Sequence, residues 1–168
     1  VTRRSTLTLT GNNSYSGNTT VSNGLLRIGG AGRLGLGDYA GTIALNGGSL
    51  RYSSSAEQTL SGAISGSGSL IKDTAGSTLT RTNTTSPSVV DVQQGVLDNR
   101  GMLAATTMSL SGDGASLPNA AGASITVQGG AGTLTGGPGV QLVTNAGSIN
   151  GLVDLGDGAD SLILQTKT

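Results

Sequence analysis

Asp154, Asp157 and Asp160 stand close together in "DLGDGADSL" and form the densest acidic cluster of the chain. Carboxylate oxygens are hard ligands that suit calcium. Gly156 to Leu162 fits one nonapeptide of the G-G-x-G-x-D-x-U-x type, with Leu155 in place of the first glycine. Such a site is shared between stacked consecutive repeats, and one copy is present. A solvated acidic corner is therefore favoured over a calcium site, and no other cofactor is expected.

Other chemistry has less to stand on. "GGAGRLG" sets Gly30, Gly32 and Gly35 in G-x-G-x-x-G spacing, which holds a pyrophosphate only where a helix follows. The next residues, "LGDYAGTIAL", read as a turn and a strand, so a corner is predicted. Without His or Cys, serine and threonine hydroxyls have no imidazole base and there is no thiol nucleophile. Lys72 and Asp73 are adjacent, and neighbours on a strand face opposite sides, so an exposed charge pair is predicted. Cleavage of an acidic polysaccharide would need several of Asp91, Asp98, Lys72 and Arg100 to converge in a cleft. They are dispersed, only three Tyr (Tyr15, Tyr39, Tyr52) are available for sugar stacking, and the chain is expected not to be an enzyme.

The elements that carry these residues follow from composition. The 168 residues are 35% hydrophobic, without Phe or Trp and with 30 Gly, so the core must be thin and aliphatic. Nine basic and nine acidic residues give no net charge, and the scattered basic residues disfavour nucleic acid as a partner. No apolar run reaches the ~20 residues of a membrane-spanning helix, and "VTRRSTLTLT" does not read as a signal peptide. Zero Cys suits either a reducing cytosol or export through an oxidising compartment.

A glycine followed closely by Leu, Ile or Val recurs at Gly24, Gly48, Gly68, Gly95, Gly122 and Gly147, roughly 20 to 27 residues apart. This is the length of one coil of a parallel β-helix. Alternation in "TLTLT", "TIAL", "SLRY" and "SITV" reads as strands, and Gly interrupts nearly every helical window. Each glycine is expected to supply a positive φ or a close approach between coils at a corner. The prediction is an all-β fold, a parallel β-helix (β-solenoid) of about seven coils, spanning 1–168 as a single segment of a longer protein. Leu7, Leu9, Leu26 and Leu79 are expected to be buried. "STLTRTNTTSPSVVDVQQGVLDNRG" is a worn copy of the stretch that begins at Ser5, in which Arg81 replaces Leu9 and Asn99 replaces Ile28. An unpaired charge in so thin a core is costly, so these side chains are expected to face solvent or to follow an earlier strand end. The terminal stretches "STLTLT" and "DSLILQT" lack the polarity of caps.

"LTLTGNNSYSGNTTVSNGLLRIG", Leu7 to Gly29, resembles the passenger-associated transport repeat of Gram-negative autotransporters. "ISGSGSLIKDTAGSTLTRT" is similar to the lead-in to another copy, and "GSINGLVDLGDGADSLIL" to later passenger segments. The resemblance implies a right-handed β-helix, exported through a C-terminal β-barrel translocator that lies outside this sequence, and displayed on the bacterial cell surface or secreted. It brings no catalytic residues. In such a passenger the sequons at Asn12, Asn18 and Asn83 are polar turns. The function it implies is adhesion or self-association, with a host surface protein, a glycan or another copy as partner. The alternative is a passive stalk that assists secretion and presents another domain.

Overall fold

The computed structural model describes residues 5–129 and 132–165. Among them, helix is confined to one 3-10 turn, Gly35–Gly37, and every other regular element is a strand paired in parallel with its neighbours. The chain winds into a β-solenoid of about seven turns, with neighbouring coils ~4.8 Å apart. Each coil has three walls.

The first wall stacks Thr6–Leu9, Leu25–Gly30, Ser49–Ser54, the middle of Ile64–Arg81, the middle of Thr85–Asn99, then Thr107–Leu110, Thr133–Gly136 and Leu152–Asp154. The second wall contains Gln58–Leu60, Ala115–Asn119, Gln141–Asn145 and Ser161–Leu164. The third contains Thr19–Val21, Ile43–Leu45, Met102–Ala105, Ser124–Val127 and Ser148–Asn150. Ile64–Arg81 and Thr85–Asn99 turn corners without leaving the ladder, through register shifts such as those beside Lys72 and Asp73.

Because strand side chains alternate, every second residue enters the core and stacks on its counterpart one coil away. On the first wall this gives the column Leu7, Leu26, Leu50, Leu70, Val90, Met108, Leu134 and Val153. From Leu26 to Leu134 its members are buried, each contributing about 1.5 to 3 kcal/mol of hydrophobic stabilisation. Leu26 and Leu79 are buried as expected, and Leu9 is half-buried against the core. Leu7 departs from expectation: it lies in the inward column yet is 60% exposed. Its strand pairs with the next coil alone among the described residues, so burial of an inward side chain is incomplete there.

The recurring glycines divide between their two expected jobs. Gly24, Gly95 and Gly122 have positive φ. Gly48, Gly68 and Gly147 lie where coils touch; a Cβ on Gly48 would sit 2.6 Å from the carbonyl oxygen of Val21. The worn copy is displaced as well as degraded. Thr6–Leu9 lies on the first wall, whereas its counterpart, residues 78–81, lies on the second. All three walls use the same strand, corner and strand pattern, so one sequence motif serves any of them.

Candidate functional site

Two cations expected outside are inside. Arg81 follows Leu79 by one strand period and is fully buried. No carboxylate accompanies it among its hydrogen-bond partners. Its Nε donates to Thr85 Oγ1 at 2.7 Å, its Nη1 to the Leu60 carbonyl, and its Nη2 to Thr85 Oγ1 and, at 3.1 Å, to the Gly62 carbonyl. Burial pulls its pKa down to about 10. The expectation of a solvent-facing Arg81 fails because backbone carbonyls and one hydroxyl supply the acceptors a buried guanidinium needs.

Asn99, also expected outside, lies beneath Arg81 in the same inward column. Its Nδ2 donates to Asn119 Oδ1 at 2.8 Å, and Asn119 Nδ2 donates to Asn145 Oδ1 at 2.7 Å. The same amides reach the Ser124 and Ser148 carbonyls at 2.9 and 3.0 Å. A buried amide is stable here because one ladder satisfies both the side chains and the corner backbone.

Lys72 and Asp73 do face opposite sides, yet they are not an exposed pair. Lys72 is buried in the column Leu9, Ile28, Tyr52, Lys72 and Val92. Its Nζ donates to the Thr74 carbonyl and, at 3.3 Å, to that of Gln94, and lies 6.0 Å from the Tyr52 ring centroid. Burial lowers its pKa to about 8, against the opposing pull of the Asp73 and Glu57 carboxylates. Asp73 faces outward and pairs with Arg51 at 3.3 Å.

The residues considered for polysaccharide cleavage do not converge. Lys72 is in the core. Asp91, on the first wall, accepts from Ser109 and Ser111 hydroxyls at 2.9 and 2.6 Å and from Gln93 at 2.7 Å. Asp98, on the second wall, pairs with Arg100 at 2.7 Å. The G-x-G-x-x-G stretch is a corner: Gly30 ends a strand, and Gly35 opens the 3-10 turn.

In the acidic cluster, Asp154 accepts from the Gly156 N–H at 3.1 Å and Asp160 from the Gln141 N–H at 2.8 Å. Asp157 is exposed. Among the described residues no three His, Cys, Asp or Glu side chains gather as a metal site. The sequon stretches tie coils together: Asn13, within the first, bonds the Arg33 carbonyl at 3.1 Å, Asn18 accepts from Thr42 N–H at 3.0 Å, and Asn83 bonds the Ser61 carbonyl at 3.1 Å. Asn12–Asn13 is a two-residue strand rather than the expected turn.

Two surfaces remain. One is a largely apolar concavity of about 760 Å³ at the first coil, lined by Leu7, Leu9, Tyr15, Val21 and Leu26 with Asn13 and Asn18 at its rim. Tyr15 meets Tyr39 edge to face, centroids 5.3 Å apart, and the Tyr39 hydroxyl bonds Thr19 at 2.7 Å. The other is the outer face of the first wall. Its outward column reads Thr8, Arg27, Arg51, Ile71, Asp91, Ser109, Thr135 and Asp154, basic towards one end and acidic towards the other.

Comparison with known proteins adds one match: residues 5–28 fit the family model of the passenger-associated-transport-repeat. No curated protein and no solved structure gives a significant match. The matched residues form the first coil and enter the second. This repeat family implies a secreted or surface-exposed protein and suggests a C-terminal translocator in the full-length protein. The repeat at residues 5–28 and the β-solenoid that it opens together fit an autotransporter passenger domain.

Proposed function

We propose that the chain is a passenger segment displayed on the bacterial surface, or released from it, that works by contact: attachment to a host surface protein or glycan, or self-association. The observation that carries this reading is the transport repeat built into the first coil of a solenoid. It is supported by walls whose outward positions hold Thr, Ser and Asn interspersed with Ala at the coil spacing, as in Thr20, Ala44, Ser65 and Ser86, and in Ala104, Thr126 and Asn150, on the third wall. Regularly spaced hydroxyls and amides suit hydrogen bonding to a glycan or to a second chain. The unbroken columns also favour a second reading, a passive stalk presenting another domain, because both roles need the same rod.

The test is a comparison of cells that display the full-length protein with cells that display a version lacking this segment. The contact reading expects clumping or host-surface binding to be lost while surface display is kept. Retention of both activities without the segment would refute it and favour the stalk.

A further inference from the structure

Charge is distributed unevenly along the sequence. Residues 1–60 contain five Arg against one Asp and one Glu, whereas residues 101–168 contain four Asp against one Lys. On the first wall this gradient falls in a single outward column, with Arg27 and Arg51 on one side of Ile71 and Asp91 and Asp154 on the other. Coils repeat every ~4.8 Å, so Arg51 and Asp91 lie equally far from Ile71, about 5 Å each along the axis.

We infer that the outer face of the first wall is a self-complementary surface on which a second copy of this chain docks antiparallel; this rests on the contact reading proposed above and names its partner. A two-fold axis lying in the face, along the strand direction and through Ile71, reverses the order of coils while keeping the column over itself. Ile71 then meets its symmetry mate, Arg51 of each copy meets Asp91 of the other, and Arg27 meets Ser109. Sliding the copies by one coil sets Ile71 against Asp91 in one direction and, although Arg27 then meets Asp91, against Arg51 in the other; sliding by two sets Asp91 against Asp91 or Arg51 against Arg51, so the first register alone joins Ile71 to its mate while pairing Arg with Asp. Such a contact is isologous and closes as a dimer.

The side chains on this face are prepared for the contact. Arg51 is held by Asp73 at 3.3 Å through Nη1, and its side chain remains 35% exposed towards a partner. Asp91 is fixed by two hydroxyls and an amide yet keeps its charge outward on the column. Asp73, on the same strand as Ile71, faces its own symmetry mate across the axis, and its ion pair with Arg51 offsets that repulsion. Arg51 therefore serves both the intrachain pair and the contact between copies.

Sedimentation velocity of the purified chain over a concentration series tests this. Wild type is expected to dimerise, more weakly at high salt. Arg51→Asp and Asp91→Arg should each be monomeric alone, whereas their equimolar mixture should dimerise again, because both contacts between positions 51 and 91 then join opposite charges. The mixture also controls for folding, since a misfolded variant cannot restore its partner. Ile71→Asp, at a half-buried position outside both charge pairs, should be monomeric while keeping the strand-dominated circular dichroism of wild type. A monomeric wild type, a mixture that fails to dimerise, or an Ile71→Asp dimer would overturn the assignment of this face. Those results leave the contact reading intact if cells displaying the protein still clump or bind host surfaces; cells that do neither refute that reading itself.

Discussion

Thr85 stands in an inward column of Ile43, Ile64, Leu103 and Ile125, where pattern alone would welcome an aliphatic residue. Thr85→Val is isosteric and should exchange a hydroxyl for a methyl, a gain of about 0.8 kcal/mol on apolar transfer. The structure predicts the opposite outcome, because Thr85 Oγ1 accepts from both Nε and Nη2 of the buried Arg81. Hydrogen bonds to charged groups contribute about 1.5 to 3 kcal/mol each, so losing two costs about 3 to 6. The net expectation is a destabilisation of about 2 to 5 kcal/mol, or a fall of roughly 5 to 15 °C in melting temperature for a chain of this size. Thermal melts and urea titrations on a double-mutant cycle with Arg81→Leu measure it. In the Arg81→Leu background Thr85→Val should become neutral or stabilising. A neutral or stabilising Thr85→Val in wild type would refute the account of how the core holds Arg81.

Leu79→Ala should cost about 2 to 5 kcal/mol in a urea titration, as for other buried leucines, whereas exposed Leu7→Ala should cost less than about 1 kcal/mol. Lys72 gives a pH signature. Its folded pKa of about 8 lies below the ordinary 10.5, so the charged form is penalised in the folded state. That penalty is fully present below pH 8 and is relieved as pH rises towards 10.5. Stability should therefore rise by about 1 to 2 kcal/mol between pH 8 and 9.5, measured by urea titration, and Lys72→Met should flatten the rise. Titration of metal-free protein with millimolar calcium should leave the melting temperature unchanged, since Asp154 and Asp160 already accept backbone N–H groups. A rise that disappears in Asp160→Asn would instead establish a calcium site.

The coil length, the strand character and the glycine corners were legible because each arises from local steric rules repeated every turn. The inward placement of Arg81 and Lys72 was also written in the alternation, since each follows a buried leucine by two residues. The cost of burying a charge argued against it, and sequence does not reveal that the Leu60, Gly62 and Gln94 carbonyls come within reach from elsewhere in the fold. Thr85 carries a faint signal as a polar residue among aliphatic counterparts, visible only once the coils are in register. The charged column on the first wall is hidden for the same reason: its members are spread across the chain and meet only through stacking. Leu7 shows the converse, a residue with the right pattern whose burial depends on a neighbouring coil.

Surface display is the central claim, and the absence of cysteine from the sequence makes it directly measurable. Thr135 is exposed on the first wall, so Thr135→Cys in the full-length protein gives a single reporter thiol within this segment. Intact Gram-negative cells expressing that variant are treated with a membrane-impermeant maleimide, with lysed cells as the reference. The account predicts labelling of intact cells, or of protein released into the medium, to the extent seen after lysis. Labelling that appears only after lysis would contradict it.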